Sequence, residues 1–202
     1  MSQAGLFAAE PRVLAEDGEG GIRYWPRFVD LMLATRWFDS LRAEVDWHGG
    51  SRPMYDRVVD IPRLTAGFPL DGSKPLPMAL DDAARAVGEG LGVAFTHVGM
   101  NHYRDGRDSV APHNDKLDSL VPGHPIALLS LGATRRMDIR EKQPSGMPPR
   151  RRGWRLELDA GSLLVMSHAS QTRYDHGIPK TTAAVGPRIS LAFRVRPQGG
   201  RW

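Results

Sequence analysis

Cysteine is absent from the 202-residue chain. That excludes disulfide staples and zinc–thiolate sites, so any metal must be held by histidine and carboxylate alone. It fits a reducing compartment, and a cytoplasmic location is the expectation. No apolar run approaches the ~20 residues a bilayer requires, so no membrane span is expected. The opening MSQAGLFAAEPRVLAEDGEGG lacks the basic start and long apolar stretch of a secretory signal. Internal repeats and low-complexity tracts are lacking too. Lysine is scarce: four of the 27 basic residues, the other 23 being arginine.

What is present is the composition of an ordinary globular protein, 41% hydrophobic and 25% charged. The length suits one domain with a sizeable core, expected as a monomer. The net charge is +4 and the pI near 9.7. Arginine's planar fork suits bidentate contact with phosphate, so a polyanionic partner is one reading; a GC-rich coding sequence would enrich arginine as well. Arg150-Arg151-Arg152, between Pro148-Pro149 and Gly153, reads as an exposed loop, either a solvated hairpin tip or a contact for such a partner.

Residues 1–20 read as a flexible leader, and 21–202 as a single domain. After Pro26 and Asp30, the apolar stripe Leu33, Trp37, Leu41 and Val45, with Ala34 and Phe38 beside it, predicts an amphipathic helix ended by Gly49-Gly50. Leu80, Ala83, Ala84, Val87 and Leu91 share one face of a second helix, over about 79–91, stopped by Gly92. Residues 49–78 are rich in Gly and Pro and contain a strand-like piece, DRVVDIPRLTA; so long an irregular stretch suggests a functional loop. Beyond Gly92 the period changes to two. VAFTHVGMNHY, IALLSL, MDIREK, WRLELD, SLLVMSH and RISLAFRVR all read as strands. Two helices before six or more short strands predict an α+β fold with an antiparallel sandwich or barrel as its core.

His113-Asn114-Asp115 places an imidazole and a carboxylate at i and i+2, on the same side of a strand. Two histidines and one carboxylate on one face of an iron make the facial triad of non-haem Fe(II) oxygenases, which leaves positions open for substrate and dioxygen. His-x-Asp alone is a common tripeptide, and the third ligand must come from elsewhere among the seven histidines at 48, 97, 102, 113, 124, 168 and 176. In the last strand Ile189, Leu191, Phe193 and Val195 take one face, and Arg188, Ser190, Ala192 and Arg194 the other. Two arginines on a hydrophobic strand are costly to bury without anionic partners. They lie about 20 Å apart on an extended strand. A short dicarboxylate held between them would satisfy both, given some curvature; otherwise this is an edge strand whose arginine face meets water.

Together these parts resemble the AlkB-type Fe(II)/2-oxoglutarate dioxygenases, from about Ile22 to Pro197. The motifs run in order: Asn-x-Tyr-x-x-Gly (Asn101, Tyr103, Gly106), His-x-Asp (His113, Asp115), a distal histidine (His176), and two arginines six residues apart (Arg188, Arg194). GSLLVMSHASQTRYDHGIPK looks like the stretch that carries the family's last metal ligand. The resemblance implies a double-stranded β-helix, or jelly roll, with the N-terminal helices packed on one sheet. It makes His113, Asp115 and His176 the iron ligands; His168 competes for the third place, but His176 has the family's distance to Arg188 and is followed by Ile178-Pro179-Lys180. Asn101, Tyr103 and Arg188 would hold one carboxylate of 2-oxoglutarate, with Arg194 and Ser190 near the other, the planar guanidinium suiting bidentate contact. The implied cofactors are Fe(II), 2-oxoglutarate and O2.

The activity so implied is oxidative demethylation of N-alkylated bases in DNA or RNA, the base being flipped out of its strand. Residues 49–78 occupy the place of the family's substrate-recognition lid, making Tyr55 and Phe68 candidates for contact with a base, ordinary packing being the alternative. The family's repair members usually carry an acidic residue two positions after the metal-binding aspartate, and here that place is Leu117. The aromatic residues often seen after the lid's start are also missing from PLDGSKPLPM. A 2-oxoglutarate oxygenase acting on RNA modifications, protein or a small molecule, and a catalytically silent binding protein, are the two other readings.

Overall fold

The computed structural model describes residues 10–54, 57–143 and 153–197. Arg12–Ala15 (β1) and Ile22–Trp25 (β2) precede the helix Leu31–Glu44 (α1). Ser51–Met54 (β3), Arg57–Asp60 (β4) and Leu64–Pro69 (β5) lead to the helix Met78–Leu91 (α2). Then come His97–Tyr103 (β6), Val110–His113 (β7), a 3-10 turn at Leu117–Ser119, Ile126–Gly132 (β8), Arg135–Glu141 (β9), Gly153–Leu158 (β10), Leu163–Met166 (β11), the short helix Ser170–Arg173 (α3), Tyr174–Ile178 (β12) and Arg188–Arg194 (β13).

Both long helices form where the apolar stripes put them. Asp30 caps α1, its side chain accepting from the Leu33 N–H at 2.8 Å. Ala34, Trp37, Phe38 and Leu41 are its buried face. The helix stops at Val45, whose backbone is extended, short of the expected Gly49-Gly50. Helix α2 ends at Gly92 in the left-handed conformation, φ 65°.

Seven antiparallel strands build the larger sheet, in the order β1-β2-β11-β8-β13-β6-β5. The smaller sheet has the order β10-β9-β12-β7, and β3 and β4 pair only with each other. The larger sheet is buried on both faces. Ile189, Leu191, Phe193, Val98, Met100 and Leu129 pack under α1 and α2. Ala192, Leu128, Leu164 and Met166 meet Met137, Ile139, Leu156 and Ile178 of the smaller sheet. The result is a helix layer on a jelly roll, as expected. Alternation then fixes the functional face: residues 97, 99, 101 and 103 of β6 and 188, 190, 192 and 194 of β13 all look into the space between the sheets.

One expectation changes here, and one open alternative falls away. Residues 12–15, assigned to a flexible leader, pair with β2, and Asp17 accepts from the Ser167 hydroxyl at 2.6 Å. Strand β13 is not an edge: β8 and β6 flank it, so its arginine face meets protein rather than water. The Arg150–Arg152 run lies outside the described residues.

Candidate active site

The last residue of β7 and the central residue of β12 sit directly opposite each other in the smaller sheet, and these are His113 and His176. Their ring centroids are 4.6 Å apart. Asp115 follows two residues beyond His113, and one ligand atom from each of the three lies within 4.8 Å of the others. Gly177 permits this approach: a Cβ there would stand 2.9 Å from both the Pro112 nitrogen and the Val110 oxygen of β7. The cluster runs from exposed His113 through Asp115 to buried His176, one side open and the other walled. His168 lies at the end of β11, half-buried and outside the cluster.

The protonation states suit a divalent cation. His113 donates Nδ1–H to the Ala111 carbonyl at 2.9 Å, which leaves the Nε2 lone pair for a ligand. Burial pushes His176 down to about 4, so it is a neutral imidazole at pH 7. Burial pushes the Asp115 carboxyl up, but the Arg194 guanidinium, with smaller contributions from His176 and His113, outweighs this and holds it below the usual carboxylate range. Two imidazoles, one of them kept neutral by burial, and one carboxylate form the donor set of a facial triad.

Beside this cluster lies a polar row across the larger sheet, Asn101 on β6, Ser190 on β13 and Ser130 on β8, in direct register. Arg188 is fully buried at its far end. Its Nη2 donates to the Ser130 Oγ at 2.9 Å, and its Cζ lies 5.2 Å from the centre of the Tyr103 ring. Among the described residues, its Nε and Nη1 have no hydrogen-bond partner. A buried guanidinium with unsatisfied donors is costly, and a carboxylate is the group that matches it. Arg194 stands at the opposite end, with Nε donating to Asp115 Oδ2 at 2.6 Å and Nη1 to the Ala192 carbonyl at 3.0 Å. Gly99 leaves room for it, since a Cβ there would be 3.3 Å from Arg194 Nη1. The two arginines thus define a far end and a metal end of one slot, and these residues fit a metal-chelating 2-oxo acid.

Gly106 of the Asn-x-Tyr-x-x-Gly motif has a packing reason. A Cβ would come within 2.5 Å of the Thr181 carbonyl, while the Thr181 N–H donates to the Gly106 oxygen at 2.9 Å. Two arginines join the site that the motifs do not mark. Arg63 donates from Nε to the Asn101 Oδ1 at 2.6 Å, tying residues just before β5 to the cosubstrate slot. Arg135, 3% exposed, donates to the carbonyls of Asp105, Asp108 and Pro179 and lies 5.7 Å from the Tyr103 ring centre. No periodicity signals Arg63; Arg135 could have been found as a charge in an inward position of β9.

Among the substrate candidates, Phe68 is corrected. It is opposite Val98 in register and packs with it in the helix-backed core, on the face of the sheet away from the metal cluster. Tyr55 lies outside the described residues. Leu117 opens the 3-10 turn that follows Asp115 and is half-buried. Of the expected lid, residues 64–69 form β5 in the larger sheet, leaving β3 and β4 as the separate part.

The sequence matches the 2OG-Fe(II) oxygenase superfamily over residues 65–194. It is 38% identical over 173 residues to the DNA oxidative demethylase ALKBH2 of Homo sapiens, covering 78% of this chain and 66% of that protein. It is 32% identical over 224 residues to the alpha-ketoglutarate-dependent dioxygenase alkB homolog 3 of Bos taurus, covering 96% and 77%. The fold is shared with OsALKBH1, at a TM-score of 0.56 and 15% identity over 93% of this chain and 100% of that one. It is shared also with a Pseudomonas putida prolyl-4-hydroxylase, at 0.52 and 18% over 88% and 94%. The chain belongs to the AlkB-like Fe(II)/2-oxoglutarate-dependent dioxygenases of the 2OG-Fe(II) oxygenase superfamily, whose cofactors are Fe(II), 2-oxoglutarate and O2.

Proposed function

We propose that this enzyme removes N-linked alkyl groups from bases of DNA or RNA by oxidation, with His113, Asp115 and His176 as iron ligands. The observation that carries the reading is the convergence of these three side chains beside a slot closed at its far end by a buried, unsatisfied arginine. The relatives named as a DNA oxidative demethylase and an alkB homolog point to the substrate class. The basic, arginine-rich composition suits a phosphate backbone.

When bound, iron and 2-oxoglutarate with dioxygen supply the oxidising power that hydroxylates an N-methyl carbon, after which the hemiaminal loses formaldehyde. The chain's own part is orientation and charge. Neutral His176 would offer its lone pair beside the Nε2 of His113, and ionised Asp115 would balance a divalent charge. Arg188, Tyr103 and Ser130 would hold the far carboxylate, and Arg194 the end nearest the metal. Ser190 and Asn101 line the floor between, Asn101 being held by Arg63.

The test is formaldehyde release from oligonucleotides carrying 1-methyladenine or 3-methylcytosine, with Fe(II) and 2-oxoglutarate supplied and His113→Ala as control. Release by the native enzyme and none by the variant is expected; turnover of 2-oxoglutarate with no release from any methylated strand would reject the substrate. Leu117 favours one second reading, a non-repair substrate, because an apolar side chain stands where repair members carry an acid. Retention of all three metal-cluster side chains opposes a silent binding protein.

A further inference from the structure

Lys142 stands just past the end of β9, between the two segments that carry the metal-cluster residues. Its ammonium donates to the Asn114 Oδ1 at 2.8 Å and to the Gln171 carbonyl at 2.7 Å, and lies 3.7 Å from Asp175 Oδ1. Asn114 is the residue between His113 and Asp115, and Asp175 is the residue before His176. The three partners match the three donors of an ammonium. The Lys142 backbone N–H also donates to the Arg173 carbonyl at 2.7 Å, at the end of α3.

Gln171, on α3, is fully buried, and its Oε1 accepts from the Asp115 backbone N–H at 3.1 Å. Asn114 donates its Nδ2 to the Asp115 carbonyl at 2.8 Å. Both peptide groups of Asp115 are therefore held from outside the cluster, one by a residue five positions before His176. Asp115 has left β7 and lies on no strand or helix, so no sheet ladder positions it.

We infer that Lys142 and Gln171 are positioning residues for the metal centre, a clamp that sets the His113–Asp115 segment at its distance from His176. The inference rests on reading His113, Asp115 and His176 as the metal ligands. Neither residue contacts a ligand atom of the cluster: Gln171 acts through the Asp115 backbone, and Lys142 through the neighbours of two ligands. Partners of this kind typically contribute 10–100-fold in metal affinity. A methionine at 142 preserves length and removes all three contacts, and a methionine at 171 leaves the Asp115 N–H without its acceptor.

The experiment uses the full chain and Co(II) as the probe, with affinity from titration calorimetry and the metal-free urea midpoint measured in parallel. Stoichiometric Co(II) binding by the native protein, lost in His113→Ala, tests the ligand reading separately. Given that, Lys142→Met and Gln171→Met are each expected to weaken Co(II) binding about 10-fold or more. In Asn114→Ala, which removes a partly exposed side chain, a smaller loss is expected, with less than additive effects when combined with Lys142→Met. Unchanged Co(II) affinity in a folded Lys142→Met, with only the urea midpoint lowered, would overturn the inference. Should Lys142→Met fail to fold, native affinity in Asn114→Ala would do the same.

Discussion

Arg194 and Asp115, 79 positions apart in sequence, meet through a 2.6 Å hydrogen bond from Nε to Oδ2 at the metal end of the slot. Both side chains are largely buried, so the contact is not a screened surface pair. The same guanidinium serves Ala192 through Nη1, which fixes its plane. An ammonium has no fork that could serve both acceptors in that geometry. A charge-assisted bond from the same guanidinium to the cosubstrate carboxylate would contribute about 1.5–3 kcal/mol, so Arg194→Met should raise KM for 2-oxoglutarate about 10- to 150-fold. Arg194→Lys should recover little of it. Succinate formation against 2-oxoglutarate concentration measures both.

Arg188 should show the opposite of a stabilising residue. It is fully buried with Nε and Nη1 unpaired, and replacing a buried, poorly compensated charge by an apolar group of similar length is often neutral or stabilising by about 1–4 kcal/mol. Arg188→Met is therefore expected to keep or raise the melting temperature of the metal-free protein. Mn(II) with 2-oxoglutarate should raise Tm in the native enzyme and give little more than Mn(II) alone in the variant. A variant that melts well below the native protein, yet still responds to 2-oxoglutarate, would reject this role.

Arg135 provides the contrast. Its three carbonyl acceptors join the loop after β6 to the segment after β12, the Asp108 contact being buried and the other two part-buried. With a cost of roughly 1–3 kcal/mol for each stranded polar group, Arg135→Met should destabilise the fold by about 3 kcal/mol or more in urea unfolding.

His102 couples stability to pH. It is buried against Trp47, with ring centroids 5.1 Å apart, and among the described residues neither ring nitrogen has a hydrogen-bond partner. Burial, aided by Arg42 and Arg104 and opposed by Asp108, holds its pKa below 6.5. The unfolded chain therefore binds the proton first as pH falls, so this contribution to stability is complete above pH 6.5 and is lost progressively below it. In His102→Phe, which keeps a ring against Trp47, the decline of the urea midpoint below pH 6.5 should be shallower than in the native protein.

Much of this was legible in the residues. The stripe from Leu33 to Leu41 and the glycine at 92 mark both helices, because burial of one helical face leaves a 3.6-residue period. The four motifs bring out the metal cluster and the arginines of β13, because the motif spacing survives even where Asp115 has left its strand, and Arg188 and Arg194 occupy alternate, inward positions. Other features left weaker traces. Strands β7 and β12 carry Pro112 and Gly177, which read as breakers, although Pro112 is tolerated on an edge strand and Gly177 is what lets the pair close. The short strand β1 looks like part of a leader because its apolar residues are only partly covered. The face of Phe68 was not fixed by the sequence, since register between β5 and β6 depends on partners far along the chain. Contacts of Arg63, Lys142 and Gln171 are tertiary, and no local pattern encodes them.

The pair β3–β4 forms no ladder with either large sheet among the described residues; the Ile61 N–H on the Gly50 carbonyl closes the hairpin's own base, and the His48–Thr65 bridge ties the chain just before it to β5. The oxidation machinery sits on β6, β7, β12 and β13 instead. Exchanging residues 49–62 for those of a relative would leave every metal and cosubstrate residue named above in place. That hairpin can therefore diverge between lineages while the oxidative engine is inherited unaltered.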